Sequence, residues 1–278
     1  MNRIASLALI VVCVCGFQSR SYGWGCSGHE IIALIAERQL GPNAQQQVQA
    51  LLGENALYAP DLSRFCVHTS LSAGLMPFYS TWADDFREQD EETAVWHFWN
   101  VPIQAATPPA ASQFCNHGCV VQAIQKQVTL LKSNVSDTAK ARALAFIIHL
   151  VGDLHQPLHV STNNDRGGNC VPVTFFDKMP QPAARGSFIP NLHEIWDHDL
   201  PEKLGSIHSR SHMRDVRRFS DTLMREFNAQ IAEWKRERVD IRAWALESHQ
   251  IAVEDAYGKL PRYVMAENPM RIGTCKDD

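Results

Sequence analysis

The chain has 278 residues, of which 45% are apolar and 20% charged, so it has the composition of a globular protein with one large domain or two small ones. Its net charge of −4 excludes a strongly basic surface for sequence-independent nucleic-acid binding. Bound divalent metals would add positive charge that a residue count omits, and the 12 histidines are unusually many for such a chain.

The first 23 residues have the pattern of a secretory signal peptide. Arg3 precedes an apolar run at 4–17 that is too short to span a bilayer, and Ser21 and Gly23 occupy the two small-residue positions that a signal peptidase reads. We expect cleavage before Trp24, which leaves one domain over 24–278 in a secreted or periplasmic protein. A retained membrane anchor is the alternative.

Six of the eight cysteines lie after this segment, and an even number in an oxidising compartment suggests disulfides. Only Cys115 and Cys119 suggest a pair by themselves, and otherwise 15 pairings are open. A cysteine-bound zinc is the competing interpretation. It is disfavoured because histidines and carboxylates already offer nitrogen and oxygen ligands.

Periodicity and helix-end signals predict a mainly helical chain without internal repeats or long linkers. Ser27 to Glu30 resembles a capping box before a helix at 31–40, and 171–176 is the one strand-like run. The further helices are predicted at 43–53, 82–87, 120–131, 137–155, 191–204, 213–236 and 241–257. The sum is an all-α, single-domain bundle with at most a small β-hairpin.

The long helix ending near residue 155 carries the pattern around which the chain is organised. His149 and Asp153 are four residues apart, which places them on one helix face with Cβ atoms roughly 5–6 Å apart. Such a pair can hold one divalent metal, or two if the carboxylate bridges. His193 and Asp197 repeat the spacing on a second helix. Two salt-bridged His/Asp pairs are the simpler alternative.

Further stretches add metal-ligand types and favour a zinc cluster over surface charge. Pro157 ends the long helix, so that His159 can approach from the following turn. The other candidate ligands are Trp24, His29, Asp84 and His97.

Six motifs then give a specific resemblance, since they occur in the order and at the spacing of one known family. They are Trp24-Gly-x-x-Gly-His29, Trp82-Ala-Asp84, His97-Phe98, His149-x-x-x-Asp153-x-x-Gln-Pro-Leu-His159, Gly167-Gly168-Asn169 and Asn191-Leu-His193-x-x-Trp-Asp197. Over about residues 24–205 the chain resembles the S1/P1 nuclease family. The resemblance implies a helical bundle that holds three Zn²⁺ ions.

The resemblance also implies a ligand set for each zinc. The first zinc would take Asp84, His97, His149 and Asp153. The second would take the free α-amino group and carbonyl of Trp24, with His29 and the other oxygen of Asp153. The third would take His159, His193 and Asp197.

The implied activity is hydrolysis of single-stranded DNA and RNA to 5′-nucleotides by a zinc-bridging hydroxide, with 3′-nucleotidase activity in addition. The resemblance assigns catalytic roles to Asp84, Asp153 and Asn169. It assigns substrate contacts to Phe98, Asn100, Asn169 and Arg87, with Phe98 stacking on an unpaired base. Arg87 could instead orient an aspartate. Asn100 stands where familiar members have an aspartate, so base preference stays open. The protein is expected to be a monomer.

Two other functions remain as alternatives. Zinc-dependent phospholipase C shares the fold and the three-zinc arrangement, but uses His-x-x-x-Glu where this chain has His193-x-x-x-Asp197. A secreted zinc-binding protein without catalysis is the second. It would be favoured by a missing ligand, and every ligand of the family is present.

Overall fold

The structure is a computed structural model that describes residues 24–53, 57, 66–105, 109–110, 112–115, 118–183 and 186–260. The predicted signal peptide, residues 1–23, and Cys275 therefore lie outside the described residues. None of the described helices combines the length and the apolar character that are needed to cross a membrane.

The described part of the chain is all-α apart from one short antiparallel hairpin, as the sequence predicts. The α-helices are α1 (Cys26–Arg38), α2 (Pro42–Val48), α3 (Leu75–Tyr79), α4 (Trp82–Phe86), α5 (Val120–Leu131), α6 (Asp137–Leu154), α7 (Leu192–Glu194), α8 (Leu200–Gly205), α9 (His212–Glu226), α10 (Asn228–Trp234) and α11 (Ile241–Ile251). Strands β1 (Gln181–Pro182) and β2 (Phe188–Ile189) form the hairpin. Helical segments of other pitch include 49–53, 91–97, 157–159, 195–199 and 252–257.

The main core surrounds α6, which packs against α1, α3, α4 and α5. Leu150 and Leu154 of α6 are fully buried with Trp82 and Trp99. Ser136 caps α6 by accepting a hydrogen bond from Ala139 N, and the helix ends before Pro157, which has no N–H to donate. The helix that carries His149 and Asp153 is therefore held rigidly in the core.

Three local predictions are wrong, and one of them is the unbroken helix at 213–236, which is interrupted at Phe227 between α9 and α10. α1 begins at Cys26, with Gly25 at the N-cap and no side-chain cap, so Ser27 to Glu30 is not a capping box. The Ser27 hydroxyl lies 3.4 Å from Glu202, and Glu30 contacts Thr69 and His212. Long-range partners thus take the side chains that would otherwise cap the helix. The 171–176 run contains only isolated bridges, and the hairpin lies after it, at 181–189.

Disulfide bonds join Cys26 to Cys66 and Cys115 to Cys119, and Cys170 is also disulfide-bonded. The small Cys115–Cys119 loop confirms the one pairing that the sequence suggests. Cys26 lies in the first turn of α1, three residues before His29. Its bond to Cys66 links this turn to a segment 40 residues away in the chain.

Candidate metal centre

The side chain of Asp153 lies at the centre of the site and is fully buried on α6. Its Oδ2 atom lies 2.9 Å from His97 Nδ1 and 3.1 Å from His149 Nε2. Its Oδ1 atom lies 3.3 Å from His29 Nε2. The two oxygens of one carboxylate therefore face two different sets of imidazoles, the arrangement expected of a bridging ligand.

His97 and Asp84 reach this centre from outside α6. Asp84 lies on α4, and its Oδ1 is 3.7 Å from His149 Nε2 and 3.8 Å from His97 Nδ1. His97 ends the 91–97 helical segment, where the chain becomes extended. Backbone hydrogen bonds from Trp99 N to His159 O and from Val120 N to Phe98 O fix that extended segment.

His29 comes from α1 and stacks on His149, with ring centroids 4.0 Å apart. α1 can approach α6 this closely because residue 152 is glycine, since a Cβ there would lie 2.8 Å from His29 Nδ1. A Cβ on Gly28 would meet the Trp24 side chain at 2.8 Å, so the Trp-Gly-x-x-Gly-His motif packs Trp24 directly against α1. Trp24 is half-buried beside the site.

A second group of ligand candidates consists of His159, His193 and Asp197, all buried. His193 Nε2 lies 3.2 Å from both His159 Nε2 and Asp197 Oδ2. Asp197 follows His193 by four residues, where α7 continues into a wider helical turn at 195–199. His159 Nδ1 is 3.9 Å from Asp153 Oδ1, so this group adjoins the first.

Three of the histidines are oriented in the same way. Nδ1 of each lies 2.7 Å from a backbone carbonyl, in the pairs His149–Ser80, His159–His97 and His193–Gly167. A carbonyl oxygen only accepts hydrogen bonds, so each Nδ1 carries its proton and donates it there. Nε2 of each ring then faces the cluster, as a metal ligand must.

Burial and charge set the protonation of the first group. Burial lowers the pKa of His97 to about 4 and also lowers the pKa of His29. Burial opposes charge on His149 as well, but the carboxylates of Asp153 and Asp84 outweigh it and raise the pKa of His149 to about 9. Burial would raise the pKa of Asp153, yet the neighbouring His149 holds it well below its ordinary value.

These side chains fit a metal cluster better than a set of salt bridges. Both ring nitrogens of His29, both oxygens of Asp84 and Oδ1 of Asp153 are buried without a hydrogen bond in the described part of the chain. Two Nε2 atoms, of His159 and His193, face each other at 3.2 Å, where neutral rings would oppose two lone pairs. A shared cation resolves both features, and zinc accepts this mixture of imidazole and carboxylate.

The predicted substrate contacts differ in how exposed they are. Phe98 is 37% exposed beside the buried His97, and Asn100 is half-buried. Arg87 is buried, with Nη1 3.6 Å from Asp84 Oδ1, which matches the alternative that it orients an aspartate. Asn169 is half-buried, and its Nδ2 donates to Arg166 O at 2.8 Å.

Sequence reasoning gave no role to some residues that support the cluster. Gln156 is fully buried and donates from Nε2 to Asp197 Oδ1 at 2.5 Å. It lies within the motif that runs from His149 to His159. The carbonyl of Ser80 carries no side-chain signal at all. Asp165, four residues before Asn169, is buried and accepts several hydrogen bonds.

Comparison with known proteins gives a consistent result. A family model described as S1/P1 Nuclease matches residues 24–269. The chain is 30% identical to Nuclease S1 of Aspergillus oryzae over 196 residues, which are 69% of this chain and 59% of that protein. It is 32% identical to Endonuclease 2 of Arabidopsis thaliana over 197 residues, 65% of this chain and 57% of the relative. Nuclease P1 of Penicillium citrinum is 28% identical over 76% of this chain and 71% of its own length. The chain thus spans less than two thirds of the first two relatives.

Proposed function

The chain belongs to the S1/P1 nuclease family, and from that premise we propose that it is a secreted, zinc-dependent nuclease that hydrolyses single-stranded DNA and RNA to 5′-nucleotides. We include removal of phosphate from 3′-nucleotides in the proposal. The observation that carries it is the buried cluster of five histidines and three aspartates. They are His29, His97, His149, His159, His193, Asp84, Asp153 and Asp197.

In this proposal the cluster binds three zinc ions, in the sets that the family resemblance implies. Oδ2 of Asp153 would serve one zinc with Asp84, His97 and His149, while Oδ1 would serve another with His29 and Trp24. The opposite orientation of the two oxygens supports this sharing. His159, His193 and Asp197 would hold the third ion, supported by their three converging ligand atoms.

The role of Trp24 depends on removal of residues 1–23. A free α-amino group ligates zinc well, whereas an amide nitrogen in an uncleaved chain is a poor ligand. Export also agrees with the disulfides, which form and persist in oxidising compartments. We therefore propose a secreted or periplasmic location.

When bound, zinc would lower the pKa of water towards neutrality and neutralise charge on the phosphate. The residues of the chain prepare the site for this chemistry. The carbonyls of Ser80, His97 and Gly167 fix three imidazoles with Nε2 towards the cluster. Asn169 lies two residues after Gly167, whose carbonyl holds His193, and is proposed to donate its amide to a phosphate oxygen. Arg87 is proposed to hold Asp84 in place.

Phe98 supports a single-stranded substrate. An exposed aromatic ring beside a buried metal centre offers a stacking surface for an unpaired base, worth roughly 1–3 kcal/mol per base. Bases in a duplex are stacked on each other and cannot use it. Asn100, which can donate and accept, is proposed to contact the base edge without the strict preference of a carboxylate.

The test is hydrolysis by the mature protein, with its N-terminus determined by sequencing. Single-stranded DNA, RNA, a 3′-nucleotide and phosphatidylcholine are offered in parallel, before and after a chelator and again after zinc is restored. We expect chelator-sensitive, zinc-restored release of 5′-nucleotides.

Cleavage of the lipid alone would assign the protein to the phospholipases. A protein that binds three zincs and cleaves none of the four substrates would contradict the proposed activity.

A further inference from the structure

We propose that Asp165 and Tyr257 are positioning residues that set the orientation of His193 through the glycine turn at 167–168. This inference rests on the proposed function, because it concerns the ligand group assigned to the third zinc. Neither residue belongs to that ligand group. Their effect reaches His193 through the backbone of Gly167.

Asp165 organises the turn from inside. Its side chain is fully buried, and its Oδ1 accepts hydrogen bonds from Gly168 N at 2.9 Å and from Asn163 N at 3.2 Å. Its backbone oxygen accepts from Cys170 N at 3.1 Å. One residue therefore fixes the backbone on both sides of Gly167.

The turn itself needs glycine. Gly167 has a φ of +60° and Gly168 a φ of +87°, in the left-handed region that other residues rarely adopt. A Cβ on Gly167 would lie 2.5 Å from Leu158 O. Glycine permits this conformation but does not enforce it, because a glycine pair has many other conformations open to it. The contacts of Asp165 supply the missing constraint.

His193 contacts this turn directly. Its Nδ1 donates to Gly167 O at 2.7 Å, which leaves Nε2 facing Asp197 Oδ2 at 3.2 Å. A shift of the Gly167 carbonyl would break the hydrogen bond from Nδ1 and allow the other tautomer of the ring. In that tautomer Nε2 carries the proton and cannot bind a metal.

Tyr257 connects Asp165, and with it the glycine turn, to the C-terminal helices. It ends the 252–257 helical segment, is fully buried, and donates its hydroxyl to Asp165 Oδ1 at 2.8 Å. The same segment packs against Leu158, Val171 and Leu192, on either side of the turn. One hydroxyl thus joins the C-terminal helices to the third ligand group.

The test uses Tyr257→Phe, which removes only this hydroxyl, and Asp165→Asn, which removes the charge at nearly constant shape. Zinc retained by the full mature protein is measured against free zinc fixed by a chelating buffer. We expect one of three zincs to be held about 10-fold less tightly in Tyr257→Phe, and up to about 100-fold in Asp165→Asn, with the other two unchanged.

Asp215→Asn is the matched control. Asp215 is another buried aspartate that accepts several hydrogen bonds, from Ser211, His208 and Arg218, but it lies in the first turn of α9 and in none of the candidate ligand groups. It should leave all three zinc affinities unchanged. A second control places Tyr257→Phe in a His193→Ala background, where no further loss of zinc is expected.

Wild-type zinc retention in folded Tyr257→Phe and Asp165→Asn would overturn the inference, as would equal weakening of all three sites. Failure of the proposed function would look different, because it would show in the wild-type protein itself, either as three bound zincs without cleavage or as no bound zinc. In the first case the zinc affinities of the variants still test the inference. The second case is a wild-type protein that binds no zinc here. In that case ¹⁵N spectra of the histidine rings in the metal-free protein decide the matter. We expect His193 protonated at Nδ1 in the wild type and a mixture of tautomers in Tyr257→Phe, and identical His193 signals would refute the proposal.

Discussion

Among single residues, Asp153 does most to hold the site together. It contacts three imidazoles, of His29, His97 and His149, although it is fully buried. An isolated buried carboxylate would take up a proton, but these neighbours keep the pKa of Asp153 low and the side chain charged. Its charge in turn raises the pKa of His149, so the protonation of the two residues is linked.

This linkage predicts that zinc binding releases a proton. The pKa of His149 is raised to about 9 in the metal-free protein, so its ring is protonated at pH 7 and must lose a proton to ligate. His97, with a pKa lowered to about 4, is already neutral and releases none. Ring ¹⁵N spectra of the mature protein should show His149 protonated at both nitrogens at pH 7 without metal, and at Nδ1 alone once zinc is bound. A His149 ring that is already singly protonated at pH 7 in the metal-free protein would contradict this account.

Phe98 gives a prediction on substrate affinity. Phe98→Ala should raise KM for single-stranded DNA about 5- to 150-fold, the equivalent of losing one stacking contact of roughly 1–3 kcal/mol. The bound zinc count should not change, because Phe98 supplies no ligand. Phe176→Ala is the matched control, since Phe176 is 69% exposed on a turn under Lys203 rather than beside a metal ligand. Equal effects of the two variants would remove the case for stacking at Phe98.

Elements that lie deep in the core follow their sequence patterns closely. Helices α5 and α6 agree with the predictions at 120–131 and 137–155 to within one residue. The ends that differ are those where distant side chains compete, as at Ser27 and Glu30 of α1. The predicted helix at 213–236 is interrupted at Phe227, between α9 and α10, and no glycine or proline marks the break. Local patterns cannot reveal partners that tertiary packing brings together.

The Cys26–Cys66 and Cys115–Cys119 disulfides should differ in their contribution to stability. Cys26–Cys66 closes a loop of 40 residues and Cys115–Cys119 a loop of 4. From loop entropy, replacing both cysteines by alanine should lower the free energy of unfolding by about 4 kcal/mol for the first pair and about 2 kcal/mol for the second. Denaturant unfolding of the two double variants measures the difference. A larger loss for the 115–119 pair would show that loop entropy does not govern stability here.

The start of α9 gives a prediction on pH. The hydrogen bond from the Ser211 hydroxyl, with further ones from His208 and the charge of Arg218, holds the pKa of Asp215 well below its usual value. A depressed carboxyl pKa contributes stability above the unfolded pKa of about 3.9, and this contribution is lost as pH falls towards the folded pKa. The difference in the free energy of unfolding between wild type and Asp215→Asn should therefore be at its maximum at pH 6 and smaller at pH 3. Denaturant unfolding of both metal-free proteins checks this, and a difference independent of pH would contradict it.

Across the whole molecule, the site is assembled from segments that are far apart in the chain. The spacing of His149 with Asp153, and of His193 with Asp197, was enough to predict two ligand pairs on helix faces. That His29, Asp84 and His97 join the first pair followed only from the family resemblance, because spacing says nothing about segments that meet through folding. The structure brings all eight histidine and aspartate candidates together in three groups, of which two share His149 and the third adjoins them through His159 and Asp153.

The supporting groups could be predicted least. Three carbonyls orient the imidazoles, and a backbone oxygen leaves no mark on the sequence because every residue has one. Gln156 and Asp165 are visible as residue types, but their partners Asp197 and Tyr257 lie tens of residues away. The sequence thus identifies the candidate ligands, and the fold determines how they are held.

The central claim, three zinc ions in this cluster, is tested most directly by anomalous X-ray diffraction at the zinc absorption edge, from crystals of the zinc-loaded mature protein. We predict three anomalous peaks. Two would flank the Asp153 carboxylate, one towards His97 and His149 and one towards His29, and the third would lie among His159, His193 and Asp197. An anomalous map without peaks at these positions, from crystals of protein that retains nuclease activity, would contradict the account.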